Sequence, residues 1–318
     1  MFRFGISAFS LASFNSLNSN ARQIIENINT ASSKVYRLVS NKGILDDFSG
    51  LVTSSHFVHS GSLVNIDFST FCGFETLAFG VQTDLGRAIP IWANCLTYPI
   101  QEPGSQNIFV LEEIKAFGSC LGYYPRFVFD RGFWIPNMIK FFLKENIVFY
   151  LRIKQSKLLE KAEGQIKSAK ALGQRGKDTQ IKLYGETLRL TVSPPPKQVN
   201  PKKSQNTQRW YILTDDLISD REKVLTIYRH RFEIEETFKD LKYISKLKKF
   251  FIKKILSFRI LLNFVCLSFW IAYWCRKLTQ LTLIRINPKK KRSYFRLWWE
   301  SIQRQIRKPF LKSILESG

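Results

Sequence analysis

The sequence predicts an α/β protein: a mixed sheet flanked by helices, with a β-rich insertion ahead of a late, charged helix. Three observations carry that expectation. Between Leu63 and Ile153, short apolar runs, turn signals and two amphipathic stretches follow one another as strand, strand, strand, helix, strand, helix, strand. A polar, Lys-, Gln- and Pro-containing stretch with strands of its own then interrupts the pattern over residues 155–215. From Asp220 a helical pattern rich in Arg and Glu resumes.

Residues 1–60 are rich in Ser and Asn, with one helical stretch from about Asn20 to Val39, and form a short helical region that is a candidate DNA-binding element. Leu63–Ser69 alternates apolar and polar side chains, the period of a strand. Phe74–Gln82 is a second strand, Thr83–Arg87 a turn and Ala88–Tyr98 a third, so the three form an antiparallel meander. A loop with Pro, Gly, Ser and Gln (Pro99–Gln106) leads into a helix over Asn107–Leu121. Arg126–Asp130 is a short apolar strand that ends in a carboxylate, stopped by Gly132. A helix over Ile135–Glu145 and a strand over Ile147–Ile153 complete the set. That order is the order of a ribonuclease-H-like core. The core is expected to occupy residues 61–154 and 216–280, with the β-rich insertion over residues 155–215 and a basic region over residues 281–318. Within the insertion, Thr179–Tyr184 and Glu186–Ser193 read as strands, Pro194–Pro196 opens an exposed basic loop, and Trp210–Thr214 reads as a returning strand.

Composition narrows the function. With 45% hydrophobic and 14% aromatic residues the chain can bury a core, which excludes global disorder. Forty-nine Lys and Arg against 25 Asp and Glu leave a net charge of +24, more than solvation requires. The natural partner is a polyanion, either nucleic acid or an acidic membrane surface. Five cysteines without a Cys-x2-Cys pair point to free thiols in a reducing compartment, against a disulfide framework or zinc ribbon. His56 and His59 lack a Cys or carboxylate cluster and read as surface histidines. The N-terminal Met-Phe-Arg-Phe-Gly-Ile has neither an apolar core nor a small-residue cleavage site, so a cytoplasmic, nucleoid-associated location is expected. Ile260–Cys275 is apolar but shorter than the roughly 20 residues of a membrane span and contains Asn263, so it reads as a buried core helix. Pro288–Arg292 reads as a solvated basic tail that adds to polyanion attraction.

The chemistry-bearing pattern lies on the helix predicted over Asp220–Lys246. At about 100° per residue, Tyr228, Arg231, Glu235 and Lys242 fall within an arc of roughly 60°. Ile227, Ile234, Phe238 and Leu241 form an adjacent apolar stripe, while Glu233 and Glu236 point elsewhere. Geometry alone also describes an ordinary amphipathic helix. The spacing Tyr228-x2-Arg231-x3-Glu235-x6-Lys242, however, resembles the Tyr-Arg-Glu-Lys signature of the insertion-sequence-4 family of DDE transposases.

The resemblance covers about Ser62 to Lys277 and implies the rest of a catalytic site. It implies a first aspartate on the opening strand, where Asp67 stands, and a second at the end of a later strand before Arg-Gly, where Asp130-Arg131-Gly132 stands. Asp67, Asp130 and Glu235 would then be the catalytic, metal-binding triad, holding two Mg²⁺ ions, with Mn²⁺ as a substitute. Arg231 and Lys242 would hold DNA phosphates near the cut, Tyr228 would offer its hydroxyl to a phosphate at the element's end, and Arg131 and Lys239 would add DNA contacts. The implied function is cut-and-paste DNA transposition on double-stranded DNA, by a homodimer bridging two transposon ends. The alternatives are a DNA-binding relative without catalysis and a membrane-associated basic protein.

Overall fold

In the computed structural model the described residues are 41–97, 105–173, 178–194, 209–243 and 252–279, apart from residues 42, 56, 84 and 162, together with residues 295, 296, 298 and 300. The helix expected over Asn20–Val39, the Pro194–Pro196 loop beyond Pro194 and the basic run Pro288–Arg292 lie outside them. Ten strands form a mixed sheet: β1 (Leu63–Phe71), β2 (Phe74–Val81), β3 (Ile89–Thr97), β4 (Arg126–Phe129), β5 (Phe149–Arg152), β6 (Leu158–Lys161), β7 (Ile166–Ser168), β8 (Thr179–Leu183), β9 (Glu186–Val192) and β10 (Tyr211–Thr214). The helices are α1 (Gly43–Ser54), α2 (Ser105–Leu121), α3 (Pro136–Lys144), α4 (Ala169–Leu172), α5 (Arg221–Arg229), α6 (Phe232–Tyr243) and α7 (Ile255–Thr279). The run β1-β2-β3-α2-β4-α3-β5 is the order expected from the sequence, and the architecture is the expected mixed α/β fold, consistent with a ribonuclease-H-like core. The sequence reading did not anticipate α1 or, in the insertion, the β6–β7 hairpin and the short helix α4.

The chain divides into two compact units. The first comprises Val58–Asp67 and Gly104–Phe232, the second Met1–Phe57, Phe68–Pro103 and Glu233–Gly318, so β1 contributes its first half to one and its last half to the other.

In the first unit the strand order is β1-β4-β5-β10-β9-β8-β6-β7. β1, β4 and β5 are parallel, and β10 pairs antiparallel with β5. Parallel strands are covered on both faces, which is why Arg126-Phe-Val-Phe129 shows an apolar run and not a clean alternation. On one face Phe127, Phe129 and Phe149 meet Phe142 of α3, with ring centroids 5.6–5.8 Å apart. On the other, Val128, Tyr150 and Ile212 pack against Val224, Leu225, Ile227 and Tyr228 of α5. Asp220 caps α5, its carboxylate accepting from the Lys223 N–H at 2.7 Å.

Beyond the far end of β10, the Asp215 carboxylate accepts the Phe149 N–H at 3.0 Å, and Asp216 accepts the Tyr150 hydroxyl at 2.6 Å. Burial pushes Asp215 up to about 6, against the lowering effect of its backbone hydrogen bonds. Burial also works against Asp216, but hydrogen bonds from Ser219 and Tyr150 pull it down to about 2. A carboxyl raised above its unfolded value of about 3.9 loses stability as pH rises from there through about 6. Asp215→Asn keeps an acceptor for Phe149. It is therefore expected to stabilise the protein by roughly 2 kcal/mol at pH 7.5 and by almost nothing at pH 4. Thermal melts at the two pH values check this; a gain of equal size at both would sink the assignment.

In the second unit the order is β3-β2-β1, and β2 and β3 pair antiparallel across a bulge at Phe79/Gly80. Gly80 is required by close approach: a Cβ there would lie 2.8 Å from that of Ala88. The stretch Ile255–Trp274 of α7 is long and apolar enough to cross a membrane, but 67% of it is buried inside the protein. It is pinned to β3 by polar contacts, since Trp270 Nε1 donates to the Pro90 carbonyl at 2.6 Å and Arg259 to that of Cys95 at 3.1 Å. Against α1 it buries Phe264, Ile260 and Ile44. This is the packing of a core helix, as its Asn263 suggested. Cys95 and Cys266 are buried and form no disulfide, and burial pushes the Cys266 thiol up to about 12.

Candidate active site

Strand register creates the first feature of the site. Ile66 pairs with Phe129 across β1 and β4, and Phe129 with Leu151 across β4 and β5. The next residues along these parallel strands are Asp67, Asp130 and Arg152. They therefore stand abreast at the carboxyl edge of the sheet, about 4.8 Å apart from strand to strand. Open α/β sheets place ligand sites at that edge. Two carboxylates so close repel each other unless cations answer them. Two arginines do so: Arg231 lies 3.2 Å from Asp67 and Arg152 lies 3.7 Å from Asp130. Both carboxylates stay partly open, with side chains 21% and 31% exposed.

The second feature is a helix break. The single helix expected over Asp220–Lys246 is instead two, α5 ending at Arg229 and α6 starting at Phe232. The physical cause is long-range. Asn65, fully buried on β1, donates its side-chain amide to the His230 carbonyl at 3.0 Å, which a continuous helix would have bonded to the N–H four residues on. The Arg231 N–H turns back to the Tyr228 carbonyl at 3.1 Å, a tightened last turn. Rotation along one helix, and with it the 60° arc of Tyr228, Arg231, Glu235 and Lys242, does not carry across this turn.

The turn aims two side chains of the first unit inward. Tyr228 is fully buried and its hydroxyl donates to Asp130 Oδ1 at 3.1 Å. Burial holds that hydroxyl protonated well above the ordinary tyrosine range, opposed by the charge of Arg231 and aided by that of Asp130. Arg231 is 2% exposed and its guanidinium lies 4.8 Å from the centre of the Phe232 ring. Both residues thus touch the two aspartates, Tyr228 as a donor and Arg231 as a counter-charge.

In the second unit, α6 is held by its acidic residues. Glu233 accepts the Thr83 N–H at 2.7 Å, and Glu236 and Asp240 pair with Arg87 at 3.3 and 2.9 Å. Those three carboxylates thus hold the β2–β3 turn, and Glu235 is the remaining glutamate of α6's first turns. Lys239 is exposed and pairs with Glu236, while the half-buried Lys242 sets its ammonium 5.2 Å from the centre of the Phe71 ring. Arg131, in the first unit, is exposed on the short 3₁₀ turn Arg131–Phe133 that follows Asp130.

The Asp67–Asp130 pair suits a hard cation such as Mg²⁺ or Mn²⁺, which takes carboxylate oxygens and fills its other positions with water or substrate oxygens. Among the described residues no group of three His, Cys, Asp or Glu side chains is close enough to hold a metal ion. Sequence reasoning missed Asn65 and Arg152. An asparagine inside an apolar strand and an arginine ending one were the available signals, but their partners lie far away in the chain.

The transposase DDE domain family matches residues 110–271, a span that includes Asp130 and Glu235 and begins after Asp67. No curated protein matches the chain. Among solved structures the fold is similar to a piggyBac transposase in a synaptic complex with hairpin DNA, with a TM-score of 0.50 and 13% identity over 86% of this chain and 58% of that one. The chain therefore spans less than two thirds of the length of that transposase. With half of its length matched by one family, and the sheet order of a ribonuclease-H-like core, the chain belongs to the transposase DDE domain family.

Proposed function

We propose that this chain is a transposase of the insertion-sequence-4 type, which cleaves DNA at the ends of its element and joins the freed strands to a target. The observation that carries the reading is the pair Asp67 and Asp130, abreast at the carboxyl edge of parallel strands in a DDE-domain chain. Glu235 is assigned as the third carboxylate by the spacing Tyr228-x2-Arg231-x3-Glu235-x6-Lys242. Bound Mg²⁺, as a pair of ions, would stabilise the attacking and leaving oxygens of the phosphodiester and make water a better nucleophile. The protein's part is to present the oxygens: Arg231 holds Asp67 and the Tyr228 hydroxyl holds Asp130. Because Arg231 and Tyr228 are buried, they serve through the aspartates, and phosphate contacts fall to Arg131, Lys239 and Lys242. The net charge of +24 draws double-stranded DNA to the chain. Two copies bridge the two ends, as the insertion-sequence-4 reading implies.

The test is a cleavage and strand-transfer assay with Mg²⁺ or Mn²⁺ on DNA from the flanks of its own gene. Wild type is expected to give metal-dependent products. Glu235→Gln is expected to lose them by about 10³-fold, since metal-assisted charge stabilisation is worth several kcal/mol, while still binding the DNA. DNA binding without products in either protein would overturn the catalytic reading.

A further inference from the structure

Beside Asp130 the first unit opens into a cleft of about 730 Å³, lined by Asp130, Arg131, Gly132, Trp134, Lys154 and Lys157. A second hollow of about 200 Å³ shares Arg131 and Lys154 with it and extends to Arg152 and Arg209. The cations arise from local order along the chain. β5 ends at Arg152, and Lys154 and Lys157 lie on the turn that follows. Arg209 stands two residues before β10, the antiparallel neighbour of β5, so it returns to the same edge. Trp134 holds the Lys157 ammonium 4.2 Å from the centre of its ring, which fixes one charge inside the cleft.

Arg131 and Lys154 are exposed, and among the described residues no carboxylate stands in ion-pair range of Arg131, Lys154 or Arg209. Arginines and lysines that outnumber the carboxylates of one concave place repel one another unless a further anion joins them. A cleft of this volume admits a ligand the size of one or two nucleotides and not a duplex. Among the described residues its lining carboxylate is Asp130, at the end where the catalytic pair stands.

We propose that this cleft is the track for a single DNA strand leading to Asp130. Across the two hollows Arg131, Lys154 and Arg209 hold the phosphates of this short stretch of strand, and Lys157 is set by Trp134 beside them. The assignment rests on the transposase reading for the nature of the ligand, but names residues to which the Tyr-Arg-Glu-Lys signature is silent.

The experiment compares wild type, Lys154→Ala/Arg209→Ala and a control, Lys170→Ala/Lys182→Ala, which removes two exposed lysines of the insertion. Fluorescence anisotropy measures binding to a blunt duplex and to the same duplex with a 3′ single-stranded overhang, across a range of salt. For Lys154→Ala/Arg209→Ala, the expected result is about tenfold weaker binding of the overhang and a salt slope shallower by about 1.4, from two lost phosphate contacts at about 0.7 each. Blunt duplex binding is expected to change less than about twofold, and the control to behave as wild type. Equal losses on both DNAs, or the same loss in the control, would overturn the single-strand track and leave the transposase reading standing. Failure of wild type to bind either DNA would overturn both. Unchanged thermal melts would show that the variants fold.

Discussion

Replacing Arg231 with alanine is expected to cost about 3 kcal/mol of stability, as removal of one partner from a buried ion pair does. The guanidinium is 2% exposed and faces Asp67 at 3.2 Å, one strand away from Asp130. Without it, two neighbouring carboxylates would share an edge with Arg152 as their remaining close arginine. The value sits at the lower end of the range for buried pairs because the Asp67 side chain keeps 21% of its surface in water. Urea unfolding of Arg231→Ala measures the loss. Arg231→Ala/Asp67→Asn is expected to recover a good part of it, since it removes the stranded charge as well. A single variant within about 0.5 kcal/mol of wild type would mean that the ion pair does not hold the edge together.

Asp130→Asn is expected to do the opposite: to spare the fold and abolish metal-dependent cleavage. The amide oxygen can still accept the Tyr228 hydroxyl now bonded at 3.1 Å, and Arg152 keeps a polar neighbour. What disappears is a charged carboxylate oxygen one strand from Asp67. Loss of a metal's charge stabilisation, several kcal/mol, corresponds to about 10³-fold in cleavage rate. Titration with Mn²⁺ followed by thermal shift is the companion measurement, with stabilisation of wild type and little of the variant. Cleavage retained within about tenfold would remove Asp130 from the catalytic set.

Much of the fold was legible along the chain because its signals are local. Leu63–Phe71 and Phe74–Val81 are separated by two residues, with Gly73 at φ 81°, and Arg126–Phe129 is a short apolar run stopped by a turn. Such punctuation places strands without knowledge of their partners. The β6–β7 hairpin escaped because Leu158 and Ile166 face water and Leu159 is the one buried apolar side chain across its two short strands, so no alternating stripe marked it. The helix over Asp220–Lys246 was misread for the converse reason. Its residues favour continuous helix, and the interruption comes from Asn65, 165 positions away in sequence.

Signals local to the chain carry the order of the secondary structure, the charge that seeks a polyanion, and a set of carboxylates at telling spacings. How Asp67 and Asp130 are held follows from contacts between distant segments. Register set Asp67 beside Asp130 and Asp130 beside Arg152, and a strand asparagine ended α5 so that Tyr228 and Arg231 turn onto the two aspartates. The division has one physical cause. Propensity and periodicity are properties of a few neighbouring residues, whereas pairing register and the burial of a charge depend on contacts that exist only once distant segments have met.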